Sequence, residues 1–227
     1  MYFLNQKNMS LTTYKKKRAF NETPEPTGGK SAGAAHTFVV QKHAASHLHY
    51  DFRLEMDGVL KSWAVPKGPS MDPSVKRLAM MVEDHPYDYR TFEGTIPEGN
   101  YGAGTVMVWD AGAYAAADGP FASKKEEDKA LLHQLHEGKL KFVMLGEKLK
   151  GEFALVKTGA RGENAWLLMK TKDEYATTDD ILLKDRSAKS GKTLDQIQKK
   201  RAPKKTAAKK TAVRKTAAKK TVARKKN

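Results

Sequence analysis

The chain has 227 residues, with 42 lysines and arginines against 26 aspartates and glutamates, and no cysteine. That length suits one domain of ordinary size with appendages, and the missing thiols exclude disulfide scaffolds, thiolate zinc sites, Fe–S clusters and cysteine nucleophiles. No apolar run approaches the ~20 residues of a membrane span, and Met1-Tyr2-Phe3-Leu4 passes straight into polar residues, unlike a signal peptide. The expectation is a soluble, intracellular chain with no membrane partner.

Residues 1–35 are polar and punctuated by Thr23-Pro24-Glu25-Pro26-Thr27-Gly28-Gly29, which predicts an extended arm. From His36 onward, short apolar or alternating runs recur between turn residues. The predicted strands are Thr37–Lys42, Ser46–Met56, Leu60–Val65, Leu78–Glu83, Thr105–Trp109, Leu140–Leu145, Glu152–Lys157 and Ala165–Thr171. Breaks fall at Asp57-Gly58, Pro66-Lys67-Gly68-Pro69, Pro97-Glu98-Gly99, Gly146 and Gly159. Ser123–His136 has helical composition, and Thr193 with Gln196 matches a capping box that opens a second helix. Eight strands with so few helices favour a sandwich or barrel over a βαβ fold. The fold class is mainly β: a single domain of about eight strands over residues 36–198, with one or two short helices.

Charge is distributed unevenly. Of the formal +16, residues 199–227 supply +14 with no acid, residues 1–30 supply +4, and the remainder carries −2. From Lys204 the sequence repeats KKTAA, KKTAV, RKTAA and KKTVA, with Thr206, Thr211, Thr216 and Thr221 five residues apart. A period of five matches neither helix nor strand, so no apolar face accumulates and a disordered tail over 199–227 is expected. Such a tail suits sequence-blind binding along nucleic-acid phosphates; a solubilising role is the bland alternative.

The stretch Ser46–Met56 reads SHLHYDFRLEM. At period two, Leu48, Tyr50, Phe52, Leu54 and Met56 share one face, and His47, His49, Asp51, Arg53 and Glu55 the other. The first face is core. The second is either a solvated strand face or a site, and two imidazoles with a carboxylate suit Zn, Mn, Fe, Ni or Co. His43, just upstream, is placed to return to the same site across a bend. Further pieces add to it. Lys67 lies in a rigid turn and Arg77 opens a strand. Glu83-Asp84-His85-Pro86 with Tyr89 ends that strand, and Pro97–Gly104 is a glycine-rich loop. Together they supply cations for a phosphate, a general acid and metal ligands. Several near-matches fail. Ser190-Gly191-Lys192-Thr193 lacks the upstream glycine of a P-loop, and Gly99, Gly102 and Gly104 reverse the dinucleotide spacing. Glu55-Met56-Asp57-Gly58 lacks the lysine of a ligase motif, and Glu55 is one residue too far from His47-x-His49 for a cupin.

Several blocks in order resemble one known family. They are Gln41-Lys42-His43, Leu48–Glu55, Leu60–Ser70, Val82–Pro86, Phe92-Glu93-Gly94, Ile96–Gly99 and Tyr101–Gly104. Over residues 18–175 the chain is similar to the 3′-phosphoesterase domain of bacterial ligase D. The resemblance implies a β-barrel with a divalent metal, typically manganese (zinc or cobalt being the other candidates), in a crescent groove. It implies removal of a ribonucleoside and then a phosphate from DNA 3′ ends during non-homologous end joining. By motif, His43, His49 and Asp51 match the metal ligands, and Arg53, His85 and Tyr89 the residues around the scissile phosphate. Lys67, Arg77 and Glu83 match supporting groove residues, and Arg18 and Glu25 match an N-terminal active-site strip. Ala19 stands where the family pattern usually has aspartate. DNA 3′ ends are the implied partner, with a Ku-like protein and a DNA ligase as companions, and the implied location is the bacterial cytoplasm, at the nucleoid. Two other classes stay open on the residues alone: a non-catalytic DNA-binding or architectural repair protein with a histone-like tail, and a metal-dependent hydrolase of small phosphoesters.

Overall fold

The computed structural model describes residues 11–29, 31 and 33–199. The basic tail over 199–227, expected to be disordered, lies outside them apart from Lys199. Nine strands are present among the described residues: β1 (His36–Ala44), β2 (Leu48–Met56), β3 (Val59–Val65), β4 (Lys76–Pro86), β5 (Gly94–Ile96), β6 (Gly104–Ala116), β7 (Lys139–Gly146), β8 (Lys150–Lys157) and β9 (Ala165–Lys170). They pair antiparallel in the order β1-β2-β3-β4-β9-β8-β7-β6, and β6 returns to pair with β1, closing eight strands into a barrel. Short β5 adds to the stretch Gly104–Val106 of β6, which β7 does not reach. The mainly-β barrel read from the sequence is the observed architecture. It has one strand more than expected, and three helices, α1 (Leu11–Lys16), α2 (Lys124–His136) and α3 (Leu194–Lys199), where one or two were expected.

Alternation along each strand builds the interior. Phe38 and Val40 of β1, Tyr50, Phe52, Leu54 and Met56 of β2, and Trp63 and Val65 of β3 join Trp109, Phe142, Phe153 and Trp166 in one buried cluster. The β2–β3 turn is made by Asp57 and Gly58, both at positive φ (50° and 77°), the conformation a two-residue hairpin turn demands. Helix α2 closes one end of the barrel with Leu131, Leu132 and Leu135. Its start is capped by Ser123, whose side chain accepts from the Glu126 N–H. Met71, Ile181, Leu182, Leu194 and Ile197 pack on the same core. These close the other end: Trp109 Nε1 donates to the Lys184 carbonyl at 2.7 Å, while α2 meets Asp57 at the far end of β2. The capping box read at Thr193 is present in its reciprocal half, with the Thr193 N–H donating to Gln196 Oε1 at 3.0 Å.

A second, smaller apolar cluster lies on the outside of the barrel wall. It holds Tyr14, Leu60, Tyr87, Tyr89, Phe92, Ile96 and Val106, with Phe20 packed against it. Val106 and Met107 are chain neighbours in different clusters, as opposite faces of one strand must be. The N-terminal segment, expected to be extended, therefore contains a helical turn whose Tyr14 is fully buried. Six residues are too few for a helix to persist alone, so α1 exists through this tertiary packing. The face of β2 opposite the core is thereby covered rather than solvated.

Gly104 fixes how closely the β5–β6 hairpin approaches β1. Its φ is +145°, and a Cβ there would lie 2.2 Å from the Ala44 carbonyl oxygen. Gly104→Ala is expected to cost about 2–3 kcal/mol of unfolding free energy, measured by urea denaturation.

Candidate metal centre

Pairing of β1 with β2 sets His43 opposite His49 and Gln41 opposite Asp51. Odd-numbered residues of both strands face outward, so His43, His49, Asp51 and Arg53 converge on the covered outer wall. One ligand atom from each of His43, His49 and Asp51 lies within 4.8 Å of the others. His43 Nδ1 is 3.4 Å from Asp51 Oδ2, and His49 Nε2 is 3.7 Å from Asp51 Oδ1. Donors bound to a common first-row ion at about 2.0–2.2 Å stand apart by about 3–3.6 Å. The His43–Asp51 distance falls in that span and the His49–Asp51 distance just outside it, so a small inward movement would close the set on a divalent ion. His49 Nδ1 donates to the His47 carbonyl at 3.0 Å, which leaves the Nε2 lone pair turned to the centre. His43 Nε2 is buried with no partner. Burial pushes the Asp51 carboxyl up, but the Arg53 guanidinium above all, with the adjacent His43 and His49 imidazoles, holds it well below the usual carboxylate range. The carboxylate is ionised and ready to ligate.

Arg53 forms the wall beside this set and is only 2 % exposed. Its Nε donates to Gln41 Oε1 at 2.8 Å, and its Nη2 is 3.2 Å from Asp51 Oδ2. Its Nη1 is buried without an acceptor. Gln41 in turn donates to the carbonyls of Tyr89 (3.0 Å) and Phe92 (2.9 Å), locking the amide that orients the guanidinium. The Tyr89 ring lies against Arg53, 4.9 Å from ring centre to guanidinium carbon.

The N-terminal segment completes the site. Arg18 Nε donates to Glu25 Oε1 (2.8 Å), Nη1 to Glu83 Oε1 (3.2 Å) and Nη2 to His85 Nε2 (3.2 Å). Glu25 also accepts from the Tyr89 hydroxyl (2.9 Å) and from Thr23 Oγ1 (2.8 Å). Glu83 also pairs with Lys17 at 3.1 Å. Both carboxylates are buried with the Arg18 guanidinium, while Lys17 reaches Glu83 from the surface, so each charge has a partner. His85 Nδ1 faces the Glu83 carbonyl at 2.9 Å; a carbonyl only accepts, so Nδ1 carries the proton and Nε2 accepts from Arg18. Burial, then the charges of Arg53 and Arg18, push the His85 pKa well below its ordinary value. The imidazole is neutral.

Nine of the eleven residues singled out from the sequence are therefore joined in one connected arrangement: Arg18, Glu25, His43, His49, Asp51, Arg53, Glu83, His85 and Tyr89. Tyr89, expected to face a phosphoryl oxygen, gives its hydroxyl to Glu25. Lys67 is exposed in its turn and makes no hydrogen bond or ion pair among the described residues. Arg77 stands on β4 opposite Leu168, its Nε buried and unpartnered, with no contact to the triad. Gln41, Lys17 and Tyr14 were not singled out. Gln41 shares the period-two face of His43, a signal present in the sequence, whereas nothing local marks the other two.

Fold and site together define a mainly-β barrel protein with a metal-competent His–His–Asp centre on its outer wall. Residues 41–157 match the DNA ligase D 3′-phosphoesterase domain, and the chain belongs to that family. It is 51% identical over 183 residues to the multifunctional non-homologous end joining protein LigD of Pseudomonas aeruginosa, covering 78% of this chain and 20% of that protein. It is 42% identical over 166 residues to the LigD proteins of Mycobacterium tuberculosis and Mycolicibacterium smegmatis, covering 72% of this chain. The chain thus spans about a fifth of the length of these curated relatives. Among the described residues no helix is long and apolar enough to cross a membrane.

The neutral, buried His85 makes stability depend on pH. Above its ordinary pKa of 6.5 both folded and unfolded chains hold it neutral. Below that value only the unfolded chain takes up the proton, so this group removes stability by up to about 1.4 kcal/mol per pH unit. Urea midpoints are expected to fall from pH 7 to pH 5.5, and to fall less steeply in His85→Gln.

Proposed function

We propose that this chain is a divalent-metal-dependent phosphoesterase that trims DNA 3′ ends in non-homologous end joining. It removes a terminal ribonucleoside and then the 3′-phosphate, leaving a hydroxyl. The observation that carries this reading is the convergence of His43, His49 and Asp51 beside Arg53, whose Nη1 keeps an N–H without a protein acceptor. An orphaned buried donor costs about 1–3 kcal/mol, a cost that a phosphoryl oxygen accepting from Nη1 offsets. The names of the relatives supply the end-joining context.

His43, His49 and Asp51 would hold the ion, with manganese the first candidate and zinc and cobalt the alternatives. Bound there, a divalent cation supplies Lewis-acid polarisation of a phosphoryl oxygen. Arg53 binds a second oxygen and neutralises charge, its geometry fixed by Gln41. Arg18 and His85 flank the same space. A phosphate dianion offsets the charges of Arg53 and Arg18, and a phosphate oxygen that takes over the Arg18 Nη2–H frees His85 Nε2 to bind a proton from solvent and pass it to the leaving oxygen as water attacks the phosphorus. Glu25, Glu83 and Tyr89 hold Arg18 in place for this. Lys67 and Arg77 take the role of outer cations along the DNA, and the tail of residues 199–227 that of a sequence-blind grip on the duplex. A Ku-like protein and a DNA ligase are the proposed companions. With Ala19 in place of a carboxylate, ribonucleoside removal is expected to be slower than phosphate removal.

His49→Ala removes one of three donors. It is expected to abolish Mn²⁺ binding in calorimetry and to slow release of phosphate from a duplex ending in 3′-phosphate by at least about 10³-fold. Turnover at the wild-type rate in this variant contradicts the assignment.

A further inference from the structure

The hairpin beside the metal centre ends in a feature that the chemistry above does not use. The loop Pro97–Ala103 joins β5 to β6, and β6 carries Thr105 opposite Ala44 and Val106 opposite His43. Its root is pinned by Gly104 against the Ala44 carbonyl. Its tip is ordered by two successive turns, with the Asn100 N–H donating to the Pro97 carbonyl and the Ala103 N–H to the Asn100 carbonyl. Gly102, at φ +75°, lies so close to the site that a Cβ there would stand 4.0 Å from His43 Cε1. The residue before it is Tyr101.

Tyr101 is a large aromatic left 48% exposed beside the metal-competent triad. It is also held in position. Lys17 Nζ donates to its hydroxyl at 3.2 Å and sits 4.6 Å from the ring centre, and the Arg18 guanidinium lies 5.4 Å from the same centre. Both cations are anchored in turn on Glu83. A held, half-exposed aromatic with cations over its ring is chemistry that binds unpaired bases: a base stacks on the exposed part of the ring, and the cations meet the phosphates beside it. In a nucleotide the base is separated from its own 3′-phosphate by one sugar. In this protein Tyr101 is separated from the ring of His43 by one glycine.

We propose that Tyr101 is the stacking platform for the terminal base of the DNA strand whose 3′ end enters the metal centre. This inference rests on the end-processing reading above. Stacking without base-edge hydrogen bonds lets the site accept any of the four bases, as an enzyme that meets arbitrary broken ends requires. The contact is made in the ground state as in the transition state, so its loss weakens binding and raises KM while leaving kcat nearly unchanged.

The test uses the full chain with Zn²⁺, which does not quench fluorescence, and a recessed duplex carrying 2-aminopurine as its 3′-terminal nucleotide and ending in a hydroxyl, so that no turnover occurs. Wild type and Tyr101→Phe are expected to quench the terminal probe, and Tyr101→Ala to lose that quenching and bind the end about tenfold more weakly. On an otherwise identical duplex whose terminal nucleotide is abasic, wild type and Tyr101→Ala are expected to bind equally. Any of four results overturns the proposal: equal quenching by wild type and Tyr101→Ala, an equal loss on the abasic end, Tyr101→Phe behaving like Tyr101→Ala, or no response of the terminal probe to the wild type. Because the readout is binding, a chain that fails to hydrolyse any 3′ end would defeat the end-processing reading while this experiment still judges Tyr101.

Discussion

The antiparallel register of β1 against β2 sets His43 across from His49 and Gln41 across from Asp51, and the rest of the site is arranged around those two pairs. In such a hairpin side chains alternate between faces, so a slip of β2 by one residue would send His49 and Asp51 into the barrel and Tyr50 and Phe52 out of it. The packed interior forbids that slip. Phe52, Leu54, Met56 and Trp63 are fully buried, and each holds the register by filling the core. The same packing that stabilises the barrel therefore aims the metal-competent residues outward, without any need for the site to stabilise itself.

What turns an outward strand face into a site is the layer laid over it. The N-terminal segment brings Arg18 and Glu25, the end of β4 brings Glu83 and His85, and the turn after it brings Tyr89. Arg18 touches Glu25, Glu83 and His85 at once, so one guanidinium ties the N-terminal segment to the end of β4. Buried ion pairs add little net stability, since desolvation consumes most of the attraction. Their value here is in position: the carboxylates hold two cations close to where a phosphate's charge would arrive. Gln41 does the same for Arg53, using backbone carbonyls as its fixed point.

The interior and two members of the triad were legible in the sequence because period-two alternation reports on both faces of a strand at once; His43, on the neighbouring strand, came from its place just upstream and from the family motif. Tyr50, Phe52 and Leu54 identify the core, and His49, Asp51 and Arg53 the opposite face. Helix α1 was not legible: six residues carry no periodic signal, and Tyr14 is buried by contacts with residues far along the chain. Strand β5 is three residues long and exists only as an edge on β6. Arg18 and Glu25 could be named through family resemblance, since nothing in a Thr-Pro-Glu-Pro stretch says that its glutamate will be buried against an arginine. The reverse holds for Lys67 and Arg77, which the motifs include but which make no contact with the triad in this structure.

The most direct measurement is a crystal structure of the protein soaked with Mn²⁺ and inorganic phosphate, with anomalous data collected at the manganese edge. The account predicts a single strong peak bonded to the nitrogens of residues 43 and 49 and the carboxylate of residue 51, with a phosphate oxygen against the Arg53 guanidinium. Manganese at some other place, with those three side chains unmoved and unliganded, would contradict it.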